Sequence, residues 1–224
     1  MGTSADTSVA INNQFGIDEL DIVRLDHHSF KEAKSILYQA YLNQPTFQYL
    51  LGHGKPGYDQ RVRATLRELM ELHFSRGQDV IGITVNELLV AVAFIGSPNV
   101  RLRLTDQISW RMRMTLTAGL SCTRRYIDFY EQISELHPTD YHHELPLIGV
   151  HPKYQSQGVG TALLKAVEQI CAENHKSTGI SLDTGSARCA DYYCSLGYER
   201  VGEIQIGPVT ETVLFKPIRK LVRQ

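Results

Sequence analysis

The sequence predicts a mixed α/β fold built around one central sheet. Short β-rich runs alternate with longer runs whose apolar residues recur at helical spacing, and no internal repeat is present. The chain has 224 residues, of which 42 % are hydrophobic and 21 % charged. A chain of this length and composition can bury a sizeable core as one domain without disulfides.

The first half of the chain predicts one strand, two helices and a hairpin. Alternation of apolar and polar residues marks the first strand, and the two helices carry apolar stripes. A glycine-rich loop at 52–57 separates the helices, and Asn86-Glu87 forms the turn of the hairpin. In chain order, these strands and helices are predicted at 20–25, 28–42, 59–75, 79–85 and 88–95.

The second half predicts two more helices, a strand–helix–strand–helix succession and a closing hairpin. The first two helices lie between 105 and 136 and break near Gly119. The remaining strands and helices are predicted at 144–150, 157–174, 179–182, 187–196, 198–206 and 209–215.

Bulk properties exclude several classes of protein. The formal net charge is -1 and no apolar run reaches the about 20 residues that cross a bilayer, so we expect neither a nucleic-acid nor a membrane partner. The four cysteines fit no disulfide framework or zinc site, which favours a reducing cytoplasm. Residues 1–16 are small and polar and are expected to form a disordered leader before one domain at 17–224.

A glycine-containing loop predicts an anion site. It follows a strand that ends in Ile148-Gly149-Val150, and it opens the helix predicted from Gln157. A helix N-terminus presents unpaired N–H groups, and Gly158 and Gly160 let a phosphate approach the backbone. The loop fits neither a Walker A motif nor a dinucleotide fingerprint. Its residues are Gln155, Ser156, Gln157, Gly158, Val159, Gly160 and Thr161.

Two motifs in this part of the chain resemble the GNAT (GCN5-related N-acetyltransferase) superfamily. Gln-x-x-Gly-x-Gly after Gly149-Val150-His151-Pro152 is similar to its acetyl-CoA signature. Tyr192-Tyr193 before Leu196-Gly197-Tyr198 is similar to its second signature. The resemblance is sharp from Glu144 to Tyr198. It implies a mostly antiparallel, six- to seven-stranded sheet with helices on both faces and a helical insertion, about 99–138, between the third and fourth strands.

The same resemblance implies how the co-substrate acetyl-CoA is bound. The backbone of Ile148, Gly149 and Val150 would hold the pantetheine arm, and the loop from Gln155 to Thr161 would hold the phosphates. Where the family often has an asparagine that contacts the CoA arm, this chain has Ser186. The shorter side chain puts that contact in doubt.

Acyl transfer to an amine needs a base for the ammonium and an acid for the thiolate. Tyr193 occupies the position of the family's usual acid, and Glu144 lies where some members carry an acid/base side chain. His142 and His143 are weaker base candidates. Counting along the strand, His142, Glu144, Ile148 and Val150 are predicted to share one face. A metal site formed by His137, His142 and His143 is poorly spaced, and none is expected.

The insertion is rich in arginine and aromatic residues. Arg111 with Tyr126 or Tyr130 is a candidate acceptor site, and the alternative is a lid with solvated charges and a packed aromatic seam. We therefore expect an acetyl-CoA-dependent N-acetyltransferase, monomeric or homodimeric, acting on a primary amine of a small molecule or peptide. A protein N-acetyltransferase and a non-catalytic acyl-CoA sensor remain alternatives.

Overall fold

The computed structural model describes residues 20–98, 104–139 and 141–218. The predicted leader and Arg101 and Arg103 of the insertion lie outside these ranges. The strands are β1 (Leu20–Arg24), β2 (Val80–Val85), β3 (Leu88–Gly96), β4 (His143–Val150), β5 (Gly179–Thr184), β6 (Glu199–Ile206) and β7 (Val209–Pro217). The helices are α1 (Phe30–Tyr41), α2 (Pro45–Leu51), α3 (Tyr58–Ser75), α4 (Leu104–Ala118), α5 (Leu120–Glu135), α6 (Val159–Glu173) and α7 (Ala187–Ser195).

All seven strands form one sheet in the order β1-β2-β3-β4-β5-β7-β6. Neighbouring strands are antiparallel except β4 and β5, which are parallel. Helices α4 and α5 connect β3 to β4. The predicted fold class is therefore confirmed, with seven strands and a helical insertion between the third and fourth.

The helices cover the sheet on both faces. One core joins α1 to α5 with the sheet and contains Leu37, Leu66 and Met114. The other core packs α6 and α7 on the opposite face and contains Leu163 and Val167. Each buried side chain of this kind contributes about 1.5–3 kcal/mol to folding. The sheet is thus held between two apolar layers.

Two local features differ from the prediction. Helix α2 was missed because seven residues are too few for a periodic pattern, although Pro45 at its first turn and the left-handed Gly52 after it are typical helix boundaries. Helix α6 begins at Val159 rather than Gln157, because Ser156 and Gly158 take left-handed conformations with φ of 60° and 83°. The loop before α6 is therefore longer than predicted.

Helix α4 carries apolar side chains on two sides. Trp110, Met114 and Ala118 are buried against the rest of the fold. A second row at a spacing of four residues is exposed by 60–79 %: Leu104, Ile108, Met112, Leu116 and Leu120 at the start of α5. Contiguous exposed apolar rows are uncommon on soluble proteins. Every helix in the described part of the chain is too short or too polar to cross a bilayer.

A buried carboxylate ties the insertion to α3. Glu68 has a side chain that is only 3 % exposed, and Arg113 of α4 donates to it at 2.6 Å. Arg67 donates to its other oxygen at 2.8 Å. Since a buried carboxylate without partners is costly, these bonds fix where α4 lies.

We predict that Arg113→Ala lowers the free energy of unfolding by about 1.5–3 kcal/mol, because it removes a charged hydrogen bond from a buried group. Arg111→Ala, on the exposed side of the same helix, is the control and should change it by less than about 0.5 kcal/mol. Urea denaturation measures both. Equal effects of the two substitutions would contradict this role for Arg113.

Candidate active site

The strands β4 and β5 part at the centre of the sheet. The two strands pair at His143 with Ile180 and at Glu144 with Ser181. No further residues of β4 and β5 pair within the described structure. Beyond this point β4 continues beside β3, while β5 continues beside β7. A cavity of about 100 Å³ lies at the gap. It is lined by side chains of α1, α2, α5, α7 and the strands, including Tyr41, Thr46, Tyr126, Tyr130, Glu144, Ile148, Asp183, Tyr193 and Glu211.

A β-bulge in β4 precedes the gap. The pairing with β3 changes from Phe94–Leu147 to Gly96–Glu144, so Leu145 and Pro146 together face one residue of β3. A bulge reverses the alternation of side chains. The prediction that Glu144 shares a face with Ile148 and Val150 is therefore wrong. Pro146 was the available signal, since proline within a sheet is confined to edges and bulges.

The bulge places the Glu144 side chain on the face of the sheet that α5 covers. The Ile148 and Val150 side chains lie on the opposite face, which α6 covers. Tyr130 of α5 donates to Glu144 Oε2 at 3.2 Å. Ile148 and Val150 pack against the core under α6. Glu144 and Ile148 still line the same cavity, because the cavity passes through the gap between the strands.

The backbone of β4 offers hydrogen-bonding groups to this gap. The Ile148 N–H donates to the Tyr41 hydroxyl at 3.2 Å, and the Val150 carbonyl accepts from the Gln155 side chain at 3.0 Å. Since N–H groups alternate along a strand, Gly149, opposite Val92, turns its own toward β3. An added Cβ at Gly149 would lie 3.0 Å from Ala40 Cβ. Gly149 therefore serves the close packing of α1.

The predicted phosphate loop is held by its own glutamines. The Gln155 side chain is bound to β4, and the Gln157 side chain donates to the Lys153 carbonyl at 2.7 Å. Gly158 caps α6 in a left-handed conformation that favours glycine. The first turn of α6 contains Val159, Gly160 and Thr161, whose N–H groups have no acceptor within the helix. The backbone, rather than the glutamine amides, is thus what the loop can offer to an anion.

Tyr192 lies beside this helix start. Its hydroxyl is 3.2 Å from Thr161 Oγ1, and a Cβ at Gly160 would lie 3.0 Å from the same hydroxyl. No role for Tyr192 itself was predicted from the sequence. The aromatic pair therefore divides: Tyr192 contacts α6, and Tyr193 faces the cavity.

Tyr193 belongs to α7, the helix after β5. Ser186 caps this helix, since its hydroxyl accepts from the Cys189 N–H at 3.4 Å. Burial raises the pKa of Tyr193 well above its usual value, so the phenol stays protonated at neutral pH. Its ring contacts Tyr198, with 5.9 Å between the ring centres.

Two carboxyls that were not predicted from the sequence line the cavity, and one is partly buried and the other buried. Asp183 lies near the end of β5, and Glu211 on the neighbouring β7 is 1 % exposed and accepts a hydrogen bond from the Thr46 hydroxyl. Burial raises the pKa of both carboxyls, and the nearby charge of Asp183 raises the pKa of Glu211 further. The two carboxyls therefore titrate as one pair, which holds one proton and one negative charge between them at neutral pH. The signal was a glutamate within the apolar pattern of the last strand.

The predicted histidines separate. His143 points away from Glu144 and bonds to Ser177 at 2.8 Å, and burial lowers its pKa to about 4. His142 Nε2 lies 3.8 Å from Glu144 Oε1, and His137 Nδ1 lies 3.7 Å from the same oxygen. The set that can hold a metal is therefore His137, His142 and Glu144, not three histidines.

The insertion contributes aromatic rings rather than arginine to the cavity. The Tyr126 ring packs between two others. Its centre lies 5.6 Å from the Trp110 ring centre and 6.1 Å from the Phe129 ring centre. Tyr126 and Tyr130 line the cavity, whereas Arg111 is exposed and is not among the lining residues. The aromatic side chains of the insertion therefore pack together, as the second alternative predicted. Arg111 does not form an acceptor site with Tyr126 or Tyr130.

Comparison with known proteins agrees with this architecture. A family model described as an acetyltransferase (GNAT) domain matches residues 117–200. No curated protein sequence matches the chain.

Solved structures share the fold at low sequence identity. A histone acetyltransferase HPA2 and related acetyltransferase from Corynebacterium glutamicum is 19 % identical with a TM-score of 0.61, covering 90 % of this chain and 98 % of that one. Arylalkylamine N-acetyltransferase 2 from Aedes aegypti is 16 % identical with a TM-score of 0.60, covering 90 % and 100 %. The ribosomal-protein-S18-alanine N-acetyltransferase from Escherichia coli is 16 % identical with a TM-score of 0.53, covering 89 % and 94 %.

The family match includes β4, the loop before α6, and α7. Residues of β4 and α7 line the cavity. Residues 117–200 therefore match a GNAT acetyltransferase domain, within a fold that solved acetyltransferase structures share.

Proposed function

We propose that this protein transfers an acetyl group from acetyl-CoA to a primary amine of a small molecule by direct attack in a ternary complex. One observation carries the proposal. A backbone donor (Ile148), a protonated phenol (Tyr193) and a partly buried carboxyl (Asp183) line one cavity between β4 and β5. These are the three kinds of group that aminolysis of a thioester requires.

Acetyl-CoA would lie along the gap, with its phosphates at the first turn of α6 and its pantetheine arm beside Ile148 and Val150. The Ile148 N–H is already bound to the Tyr41 hydroxyl. A thioester oxygen would replace that hydroxyl and be stabilised as negative charge develops on it. Ser186 stays a candidate contact, since its hydroxyl hydrogen is not used by the helix cap.

The chemistry then follows from the charges in the cavity. The amine nitrogen bonds to the carbonyl carbon, the carbon–sulfur bond breaks, and Tyr193 gives its proton to the thiolate. The ammonium proton passes to a carboxylate directly or through water. Asp183 joins Glu144 and His142 as a candidate base, and the raised pKa of Asp183 suits proton transfer near neutral pH.

The shape of the cavity favours a slender, cationic acceptor over a protein substrate. Tyr126 and Tyr130 of α5 cover it, and its volume is about 100 Å³. The pair of Asp183 and Glu211 provides one negative charge among aromatic rings, which suits an ammonium group. An arylalkylamine N-acetyltransferase is among the proteins that share the fold.

The first prediction concerns the phosphate loop. Gln157→Glu keeps the shape of the side chain and adds a negative charge near the phosphates, so acetyl-CoA should bind about three- to tenfold more weakly. Gln132→Glu on α5 is the matched control, since both amides donate to the carbonyl four residues earlier. Calorimetry measures both. If acetyl-CoA does not bind the unmodified protein, the proposed function fails.

The second prediction concerns the acid. Tyr193→Phe should lower kcat by about a hundredfold or more and leave the Kd for acetyl-CoA nearly unchanged, because the hydroxyl acts after binding. Tyr198→Phe is the control, since its buried hydroxyl has no hydrogen-bond partner in the described structure. Thiol release with an amine panel measures kcat. A kcat of Tyr193→Phe equal to that of the control would remove Tyr193 from the mechanism.

The third prediction concerns the acceptor. Asp183→Asn removes the negative charge of the carboxyl pair and should raise KM for a cationic amine by about ten- to a hundredfold. Glu211→Gln imitates the protonated partner and should have a smaller effect. Glu203→Gln, an exposed glutamate that also accepts from a threonine hydroxyl, is the control. If all three variants keep the same KM, the acceptor is not held by this pair.

A further inference from the structure

The side chains of His137, His142 and Glu144 form a cluster where α5 gives way to β4. One ligand-type atom from each lies within 4.8 Å of the others. The two histidine rings are edge to face, with 4.4 Å between their centres. Both histidines are nearly enclosed, with side chains 10 % and 6 % exposed, while Glu144 is 35 % exposed and reaches the cavity.

The hydrogen bonds of His142 fix which of its nitrogens carries the proton. Its Nδ1 bonds to the Thr139 carbonyl, which can only accept, so Nδ1 carries a hydrogen and Nε2 is the nitrogen left to bind a cation. Within the described residues, Nε2 is buried and has no hydrogen-bond partner. Its distance of 3.8 Å to Glu144 Oε1 is too long for a hydrogen bond. A buried ring nitrogen without a hydrogen-bond partner therefore faces a carboxylate oxygen, an arrangement that a cation between them would stabilise.

The surroundings of Glu144 orient the same oxygen toward both histidines. Tyr130 donates to Oε2, which leaves Oε1 at 3.7 Å from His137 Nδ1 and 3.8 Å from His142 Nε2. Zinc bonds of about 2.0–2.2 Å at tetrahedral angles put ligand atoms about 3.3–3.5 Å apart. The two distances from Glu144 Oε1 to the histidines are within about half an ångström of that spacing, and the two histidine nitrogens lie within 4.8 Å of each other. A histidine bound to a carbonyl through its second nitrogen is the usual support for a metal ligand.

We propose that His137 Nδ1, His142 Nε2 and Glu144 Oε1 bind one divalent transition-metal ion of the zinc class. Two imidazoles and a carboxylate favour such ions over magnesium or calcium, which prefer oxygen ligands alone. Three protein ligands leave at least one coordination position, and His137 and Glu144 line the cavity. The bound ion takes Glu144 and His142 out of use as bases and leaves Asp183 for that role.

The test uses full-length protein without an affinity tag, freed of metal by a chelator and titrated with Co²⁺. We expect one Co²⁺ per chain, with the strong visible absorption of four- or five-coordinate cobalt and no thiolate charge-transfer band. Zn²⁺ should displace it and should raise Tm, because an ion that binds the folded state stabilises it.

Two substitutions at the cluster and one elsewhere complete the design. His142→Ala and Glu144→Gln should each weaken Co²⁺ binding at least tenfold, whereas His175→Ala, an exposed histidine, should not. Equal affinity in all variants, or the weak spectrum of six-coordinate cobalt in the unmodified protein, would overturn the proposal. If the metal-free Tm of either cluster variant falls sharply, weaker binding could reflect loss of folding. His137→Asn then takes the place of that variant. The readouts are independent of acetyl transfer, so failure of one proposal does not decide the other.

Discussion

The separation of β4 from β5 is the constraint on which the rest of this structure depends. Two residue pairs hold these strands together, and after Glu144 each strand follows a different neighbour. Backbone groups that a continuous sheet would pair are then free to meet other partners, such as the Tyr41 hydroxyl and the Gln155 amide. Because the gap opens between two apolar layers, what enters it is both desolvated and surrounded by fixed dipoles.

The bulge at Leu145 and Pro146 gives the two sides of this gap different chemistry. It turns Glu144 toward α5 and the histidine cluster, and it leaves Ile148 and Val150 beside α6 and the phosphate loop. In the proposed function, donor binding and acceptor chemistry therefore lie on opposite faces of one strand. The insertion covers the cavity with Tyr126 and Tyr130, and its position depends on the buried Glu68 that holds Arg113.

Much of this architecture was predictable from the chain. Strand and helix boundaries, the break at Gly119 and the loop before α6 follow from periodicity and from glycine, whose effects are local. The short α2 was missed because one and a half turns carry too little pattern. The pairing of Asp183 with Glu211 was missed because it depends on the register between two strands 28 positions apart. Local patterns do not specify that register.

In the proposed complex, the acetyl thioester lies in the gap against the Ile148 N–H. The most direct measurement is the amide NMR signal of Ile148 during titration with acetyl-CoA, with Tyr41→Phe as a reference for the loss of the existing hydrogen bond. We expect a large shift at Ile148, together with shifts at Val159, Gly160 and Thr161. Saturating acetyl-CoA that shifts the α6 amides and leaves Ile148 unchanged would contradict it.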